Sequence, residues 1–341
     1  MKRKLALALA GMIVALGAIG AWWVADAYAS LHEPIAALRD ATTYEVPRGA
    51  SWKGTLDDLR QRGLIARPRQ AAIWMRFMRP AQKLIAGEYQ LEPGMSALDL
   101  MDLLQSGRVL MHSLTIVEGG TFADLRRALR GREDLRATLV EVSDAEIMRR
   151  LGAEGVHPEG QFFPDTYRFA KGASDWEILR MAHRRMQLEL TRAWAMRDPE
   201  TPLVDAAQAL ILASIVEKET ALSSERPLIA GVFVERLTRG MRLQTDPSVI
   251  YGLGERYDGN IRKRDLLADT PYNTYTRAGL PPTPICLPGS ASLQAAVRPK
   301  RSGELFFVAT GRGDGGHYFS KSYDEHQAAV QRYLRTMRQR R

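Results

Sequence analysis

The chain has 341 residues, 45% hydrophobic and 26% charged, which is enough apolar material for a sizeable core in two domains and excludes a largely disordered protein. Its 48 Lys and Arg outnumber its 39 Asp and Glu, a net charge of +9 that favours an anionic partner: membrane headgroups, an acidic polymer or nucleic acid. The basic residues are spread along the chain and no helix-turn-helix, zinc-finger or RNA-binding signature occurs, so no nucleic-acid partner is expected.

After "MKRK" comes an uninterrupted apolar run from Leu5 to Ala25, as long as the roughly 20 residues that cross a hydrocarbon core as a helix. Lys2, Arg3 and Lys4 predict a cytoplasmic N-terminus by the positive-inside rule, and Trp22 and Trp23 fall where an aromatic belt would meet the far interface. The expectation is a cytoplasmic tail over 1–4 and a single transmembrane helix over 5–25 in the cytoplasmic membrane, with everything after Asp26 on its outer face. A cleaved leader is the alternative, because Ala25-Asp26-Ala27 and Ala27-Tyr28-Ala29 are both small-x-small sites. Residues 26–42 read as a stalk.

A pattern then recurs: "YEVPRGASWKGTLDDL", "YQLEPGMSALDLMDLL" and "LTIVEGGTFADLRRAL". Each holds a short extended run, a glycine (Gly49, Gly94, Gly119), a Ser or Thr (Ser51, Ser96, Thr121) and leucines at helical spacing. Glycine permits the turn, the hydroxyl serves the helix N-terminus and the leucines supply a buried stripe. These are strand-turn-helix units, and the first two predict a small α/β module over 43–112. The first resembles a LysM-type glycan-binding module.

From about Leu114 the chain reads as one larger α+β domain, 113–341. The aromatic-rich "EGQFFPDTYRF" leads into a strand, a helix follows from Ser174, and another runs from about Pro202 to Thr220. The next helix is expected to be capped by Ser223 or Ser224 and to end at Gly240; "TDPSVIYG" restarts helix with Asp246 as cap and Pro247 at the first position. "GELFFVATGRGDGGHYFSKS" predicts a hairpin with a glycine-rich turn, since it lacks the lysine and the strand-to-helix context of a phosphate loop. A last helix begins near Ser322. The only cysteine, Cys286 in "PPTPICLPG", has no Cys-His pattern to activate it, and the six histidines show no metal-ligand spacing, so no catalytic thiol and no metal are expected.

The stretch "ASIVEKETALSSER", Ala213 to Arg226, is unusually acidic for its apolar setting. On a helix Glu219 shares a side with Ile215, Val216 and Leu212, whereas Glu217 follows Ala213 and Ser214, and Glu225 falls in the first turn of the next helix, where it complements the dipole. A carboxyl held against Ile and Val is desolvated, keeps its proton near neutral pH and suits a general acid. The alternative is that Glu219 caps a helix or pairs with an arginine such as Arg242.

"LILASIVEKETALSSERPLIAGVFVERLTRGMRLQTDPSVIYGLGERY", together with "TPYNTYTRAGLPPTPICLPG", resembles the endolytic murein transglycosylase family, also called YceG-like, and the likeness extends from the N-terminal apolar run to "GGHYFS". The resemblance implies that the second glutamate of E-K-E-T, Glu219, is the catalytic acid, with Glu217 supporting at most. More distantly the stretch resembles the glutamate-bearing helix of lysozyme-like lytic transglycosylases. The longer, basic "TGRGDGGH" and Cys286 depart from the family pattern and bear on loop contacts.

The implied reaction cleaves the MurNAc-GlcNAc bond inside nascent peptidoglycan strands and leaves 1,6-anhydro ends, with no metal or organic cofactor. One carboxyl suffices, because the sugar's own C6 hydroxyl attacks with the high effective molarity of an intramolecular group. The expected sugar-positioning residues follow the acid: Gln244, Thr245, Asp246, Tyr272, Asn273, Thr274 and Tyr275, of which Gln244 and Asn273 suit N-acetyl groups, while Asp246 and Thr274 also read as helix cap and turn residue. Peptidoglycan strands, and synthases near the membrane, are the expected partners. The rival readings are a noncatalytic membrane-anchored scaffold for synthases and a cofactor-dependent lyase.

Overall fold

The computed structural model describes residues 2–78 and 83–340 of a mixed α+β chain. It divides into two compact units, Met1–His112 with Arg168–Gly172, and Ser113–Tyr167 with Ala173–Arg341.

In the first unit, helix α1 runs without a break over Lys2–His32. Met1, part of the expected tail, lies outside the described residues, and from Lys2 the chain is already helical. Met12, Ile13, Val14, Leu16, Ile19 and Trp22 are all exposed, and Ala10–His32 is long and apolar enough to cross a membrane. The segment read as a stalk is helical to His32 and packs: Ala27 and Leu31, one turn apart on the same face, are 2% and 1% exposed. Beyond it come β1 (Thr42–Val46), α2 (Trp52–Gln61), α3 (Pro68–Met78), β2 (Gly87–Leu91), α4 (Ala97–Ser106) and β3 (Met111–Thr115). Residues 79–82 of the expected module lie outside the described residues.

Strands β1 and β2 pair antiparallel with Tyr44 opposite Tyr89. Both rings are buried with Leu31, Leu59, Leu100 and Leu104 in one apolar core. The local logic of the repeated units is realised in each: Gly49, Gly94 and Gly119 take φ of +81°, +86° and +74°, values an L side chain resists. The following Ser51, Ser96 and Thr121 are N-caps whose hydroxyls accept from Gly54, Asp99 and Asp124 N–H.

The second unit contains α5 (Phe122–Arg130), β4 (Leu135–Arg136), α6 (Asp144–Arg150), the first two residues of β5 (Thr166–Ala170), β6 (Ala173–Ser174), α7 (Asp175–Ala195) and α8 (Ala206–Glu219). There follow α9 (Arg226–Thr238), α10 (Asp246–Leu253), α11 (Lys263–Leu267), α12 (Ser290–Val297), β7 (Phe306–Ala309), β8 (His317–Ser320) and α13 (Tyr323–Gln339). Strand β4 pairs with β6 in parallel and β7 with β8 as the expected antiparallel hairpin, whose turn holds Gly311, Gly313 and Gly315 at positive φ.

Helix α8 is the axis of this unit. Every residue from Ala209 to Val216 is buried, so the helix is apolar all round, and α7, α9, α10 and α12 enclose it. The loop around Cys286 braces it further: Ile285 N–H donates to Ser214 Oγ at 3.0 Å and Cys286 Sγ to Ser214 O at 3.2 Å. Cys286 is fully buried, and burial pushes its thiol well up, which leaves it a packing residue.

Helix α8 begins at Ala206 rather than about Pro202, and two other helix starts differ from the sequence reading by one or two residues. Helix α9 is preceded by Glu225 rather than capped by Ser223 or Ser224, and Pro227 sits in its first turn. The N-cap of α10 is Thr245, so Asp246 is the first helical residue and its carboxylate is free for other work. In both places a proline early in the helix sets the backbone by itself, and no side-chain cap bond is made.

Candidate active site

Helix α8 stops at Glu219, and Thr220 leaves it in extended conformation. The end of a buried helix thus carries a carboxyl to the margin of the core. Thr245, 2% exposed, donates its hydroxyl to Glu219 Oε1 at 2.5 Å. Burial is the largest influence on Glu219 and raises it; the Thr245 bond lowers it, the Asp246 charge raises it and the Arg236 charge lowers it. The net result is a carboxyl pushed up to about 7 from an ordinary 4.5, so it holds a proton near neutrality.

Two cavities meet at this residue. One, of about 350 Å³, is lined by Glu219, Arg236, Gln244, Asp246, Tyr275 and Phe306, with Tyr323 and His326 beyond. The other, of about 440 Å³, lies between Glu219, Thr220 and the glycine-rich hairpin turn and includes Thr310, His317 and Arg340. A substrate crossing Glu219 therefore has room on both sides of the acid.

The turn before α10 is what aims Thr245 at Glu219. Gln244 has φ of +51°, the only positive value at a non-glycine residue among the described residues. Thr274 holds that conformation: its carbonyl accepts from Gln244 N–H at 3.1 Å and its hydroxyl from Thr245 N–H at 3.0 Å. Asp246, one residue on, accepts from the Tyr275 hydroxyl at 2.5 Å. Opposite them Arg236, 7% exposed, is fixed by donating to the carbonyls of Leu305 at 2.7 Å and Leu243 at 2.6 Å. Its guanidinium also lies 5.3 Å from the Phe306 ring centroid.

Residues 44–332 match the model of the YceG-like family. The chain belongs to the YceG-like family. It is 28% identical over 323 residues to the endolytic murein transglycosylase of Bacillus subtilis (strain 168), across 89% of this chain and 88% of that protein. It is 27% identical over 326 residues to the endolytic murein transglycosylase of Streptococcus pneumoniae strain D39, across 86% of this chain and 58% of that longer protein. The crystal structure of a yceG-like protein from Listeria monocytogenes matches 85% of this chain and 99% of its own, with a TM-score of 0.52 and 29% identity.

In this YceG-like chain the expected site residues separate into two groups. Gln244, Thr245, Asp246 and Tyr275 gather around Glu219. Asn273 does not line the cleft: it is 0% exposed, and its carboxamide is engaged by the carbonyls of Asp265, Leu266 and Ala268 and by Tyr275 N–H. Thr274, 2% exposed, is the clamp of the Gln244 turn. Tyr272 faces elsewhere, with its hydroxyl 2.8 Å from Thr283 Oγ1 and its ring edge-on to Tyr251. Tyr251 in turn donates to Glu159, a buried carboxyl also pushed up to about 7, mainly by burial, that accepts Phe122 N–H as well.

The other two glutamates of the acidic stretch are structural. Glu217 was expected on a milder face, yet its side chain is buried, paired with Arg226 at 2.9 Å and accepting from Gly289 N–H at 2.9 Å. Glu225 accepts from His317 N–H at 2.9 Å and contacts His317 Nδ1 at 2.7 Å, which ties the start of α9 to the hairpin. Arg236, Phe306, Tyr323 and His326 were not anticipated. An arginine two residues after the apolar run "AGVFV" was the one available signal, since a buried arginine needs partners.

Proposed function

We propose that the chain is an endolytic murein transglycosylase and that Glu219 is its acid. The observation that carries this reading is a desolvated carboxyl, protonated near neutrality, at the point where two cavities meet. Family membership and the names of the relatives support the substrate, a peptidoglycan glycan strand.

In the reaction, Glu219 gives its proton to the oxygen of the MurNAc-GlcNAc bond as that bond breaks, and positive charge develops at the MurNAc C1. The MurNAc C6 hydroxyl attacks C1 and the Glu219 carboxylate takes up its proton, which restores the acid. One bond breaks, one forms, no water is consumed, and the products are a 1,6-anhydro end and a free GlcNAc hydroxyl. Thr245 holds Oε1, so a single carboxyl orientation is presented. Burial, with a smaller push from the Asp246 charge, keeps the proton on Glu219 in the resting site, and Asp246 lines the cavity where its charge would stabilise the developing cation. Gln244 and Tyr275 line the same cavity and suit contacts to the sugar's polar groups.

The presence of Asp246 favours one second reading, hydrolysis with Asp246 activating water. Mass spectrometry of uncrosslinked glycan strands, incubated with the chain and with its Glu219→Gln variant, separates the two. Anhydro ends from the wild type alone support the transglycosylase; reducing ends mean hydrolysis; and binding without cleavage means a scaffold.

The apolar helix α1 fits a single-pass anchor in the cytoplasmic membrane with the N-terminus inside and both units outside. Such tethering would bring cuts to newly made strands near their synthases and terminate their growth. Two helices between the antiparallel partners β1 and β2 support the LysM-like reading of the first unit.

A further inference from the structure

A further cavity lies away from the acid. It lies in the first unit between α2 and α3, has a volume of about 1230 Å³, and is rimmed by Lys53, Arg60, Arg67, Arg69 and Arg76 against a single acid, Asp57. Of these cations only Arg67 is ion-paired among the described residues; its partner is Asp26 on α1. Trp52 and Met75 supply an apolar wall.

The position of this cavity along α1 gives it meaning. Asp26 is the first charged residue after the apolar run that ends at Ala25, so the Arg67 pair fixes the start of α3 at the level where that run stops. Ser30 Oγ donates to Gln70 at 3.2 Å, and Tyr28 lies 5.8 Å from the Trp74 ring, which continue the attachment. Helix α3 also carries two large apolar side chains outward, Ile73 at 40% and Phe77 at 74% exposed. Basic residues beside outward apolar ones, on a helix pinned to the end of a membrane-length segment, are the pattern of an interfacial helix.

We infer that the cleft between α2 and α3 is a docking site for the phosphate headgroups of an anionic bilayer, with Ile73 and Phe77 dipping into the interface. The inference rests on reading α1 as an anchor. Arginine presents paired N–H donors that match phosphate oxygens, and each basic residue close to an anionic leaflet adds attraction that salt screens. The first unit then has a fixed face toward the membrane instead of swinging on α1.

The test uses the full chain reconstituted in lipid nanodiscs, with an environment-sensitive dye on Phe77→Cys. Cys286 is 0% exposed, so labelling is confined to the new thiol. The expected result is a blue-shifted emission in discs containing phosphatidylglycerol, relative to phosphatidylcholine alone. The shift disappears in about 1 M salt, where the screening length falls to ~3 Å, and in the Arg69→Glu/Arg76→Glu variant. The neutral Lys53→Gln/Arg60→Gln variant serves if charge reversal disturbs the fold, and it is expected to weaken the shift. An aqueous label in both lipids, or a shift indifferent to charge, overturns the inference. So does a response to added glycan strands in phosphatidylcholine discs without one to phosphatidylglycerol, which would assign the cleft to the polymer. A chain that does not enter discs at all refutes the anchor itself, an outcome distinguishable from the others.

Discussion

Replacing the acid should strengthen the fold, and by an amount that depends on pH. Glu219 titrates from an ordinary 4.5 up to about 7 in the folded chain. At about 1.4 kcal/mol per pH unit, ionising it when folded costs about 3 kcal/mol more than ionising it when unfolded. Between those two values the folded state holds a proton that the unfolded state has lost, so stability falls as pH rises through the window, and the full penalty is present above it. Glu219→Gln removes the charge but keeps a carbonyl oxygen for the Thr245 hydroxyl. The variant is therefore expected to be less than about 1 kcal/mol more stable than wild type at pH 5 and about 3 kcal/mol more stable at pH 8. For a unit of this size that is a rise in Tm of roughly 6–12 °C at pH 8. Thermal unfolding of both proteins in the same detergent at the two pH values measures it. Glu159, raised to a similar value, cancels in the comparison. A gain equal at both pH values, or no gain at pH 8, would refute the claim that burial holds the Glu219 proton, and with it the physical case for an acid at this position.

Cleavage by the wild type should decline above pH about 7, as Glu219 loses its proton; Thr245→Val removes the bond that favours the carboxylate and is expected to move the alkaline limb of the pH–rate profile up by about one unit. Glu217→Ala leaves the buried Arg226 with only the more distant, exposed Glu118 carboxylate at 3.8 Å and orphans Gly289 N–H, and should cost about 3 kcal/mol in denaturant unfolding. Asn273→Ala is expected to destabilise by about 1–3 kcal/mol and leave KM for glycan strands unchanged in the folded fraction, since its carboxamide is spent on backbone; a raised KM with unchanged stability would restore it as a sugar contact.

What the sequence determined by itself is whatever depends on a few adjacent residues. The three strand-turn-helix units were legible because a left-handed glycine and a hydroxyl cap act within one turn of chain. The hairpin at Phe306–Ser320 was legible in the same way, and Glu219 stood out because a carboxyl in step with Ile215 and Leu212 breaks an apolar pattern. Only the tertiary structure decided which neighbours face that carboxyl. Asn273 and Thr245 are both expected sugar-positioning residues in sequence, with Asn273 singled out for N-acetyl groups, yet Asn273 is sealed under backbone carbonyls and Thr245 bonds the acid across 26 residues. Arg236, Phe306 and His326 reach the cleft from three separate elements, α9, β7 and α13, brought together because all of them pack around the buried axis of α8 or the hairpin beside it. The surroundings of the two glutamates were likewise tertiary: Glu217 meets the buried Arg226 and Gly289 N–H, while Glu219 meets a threonine hydroxyl and is pushed up by burial, so it keeps its proton.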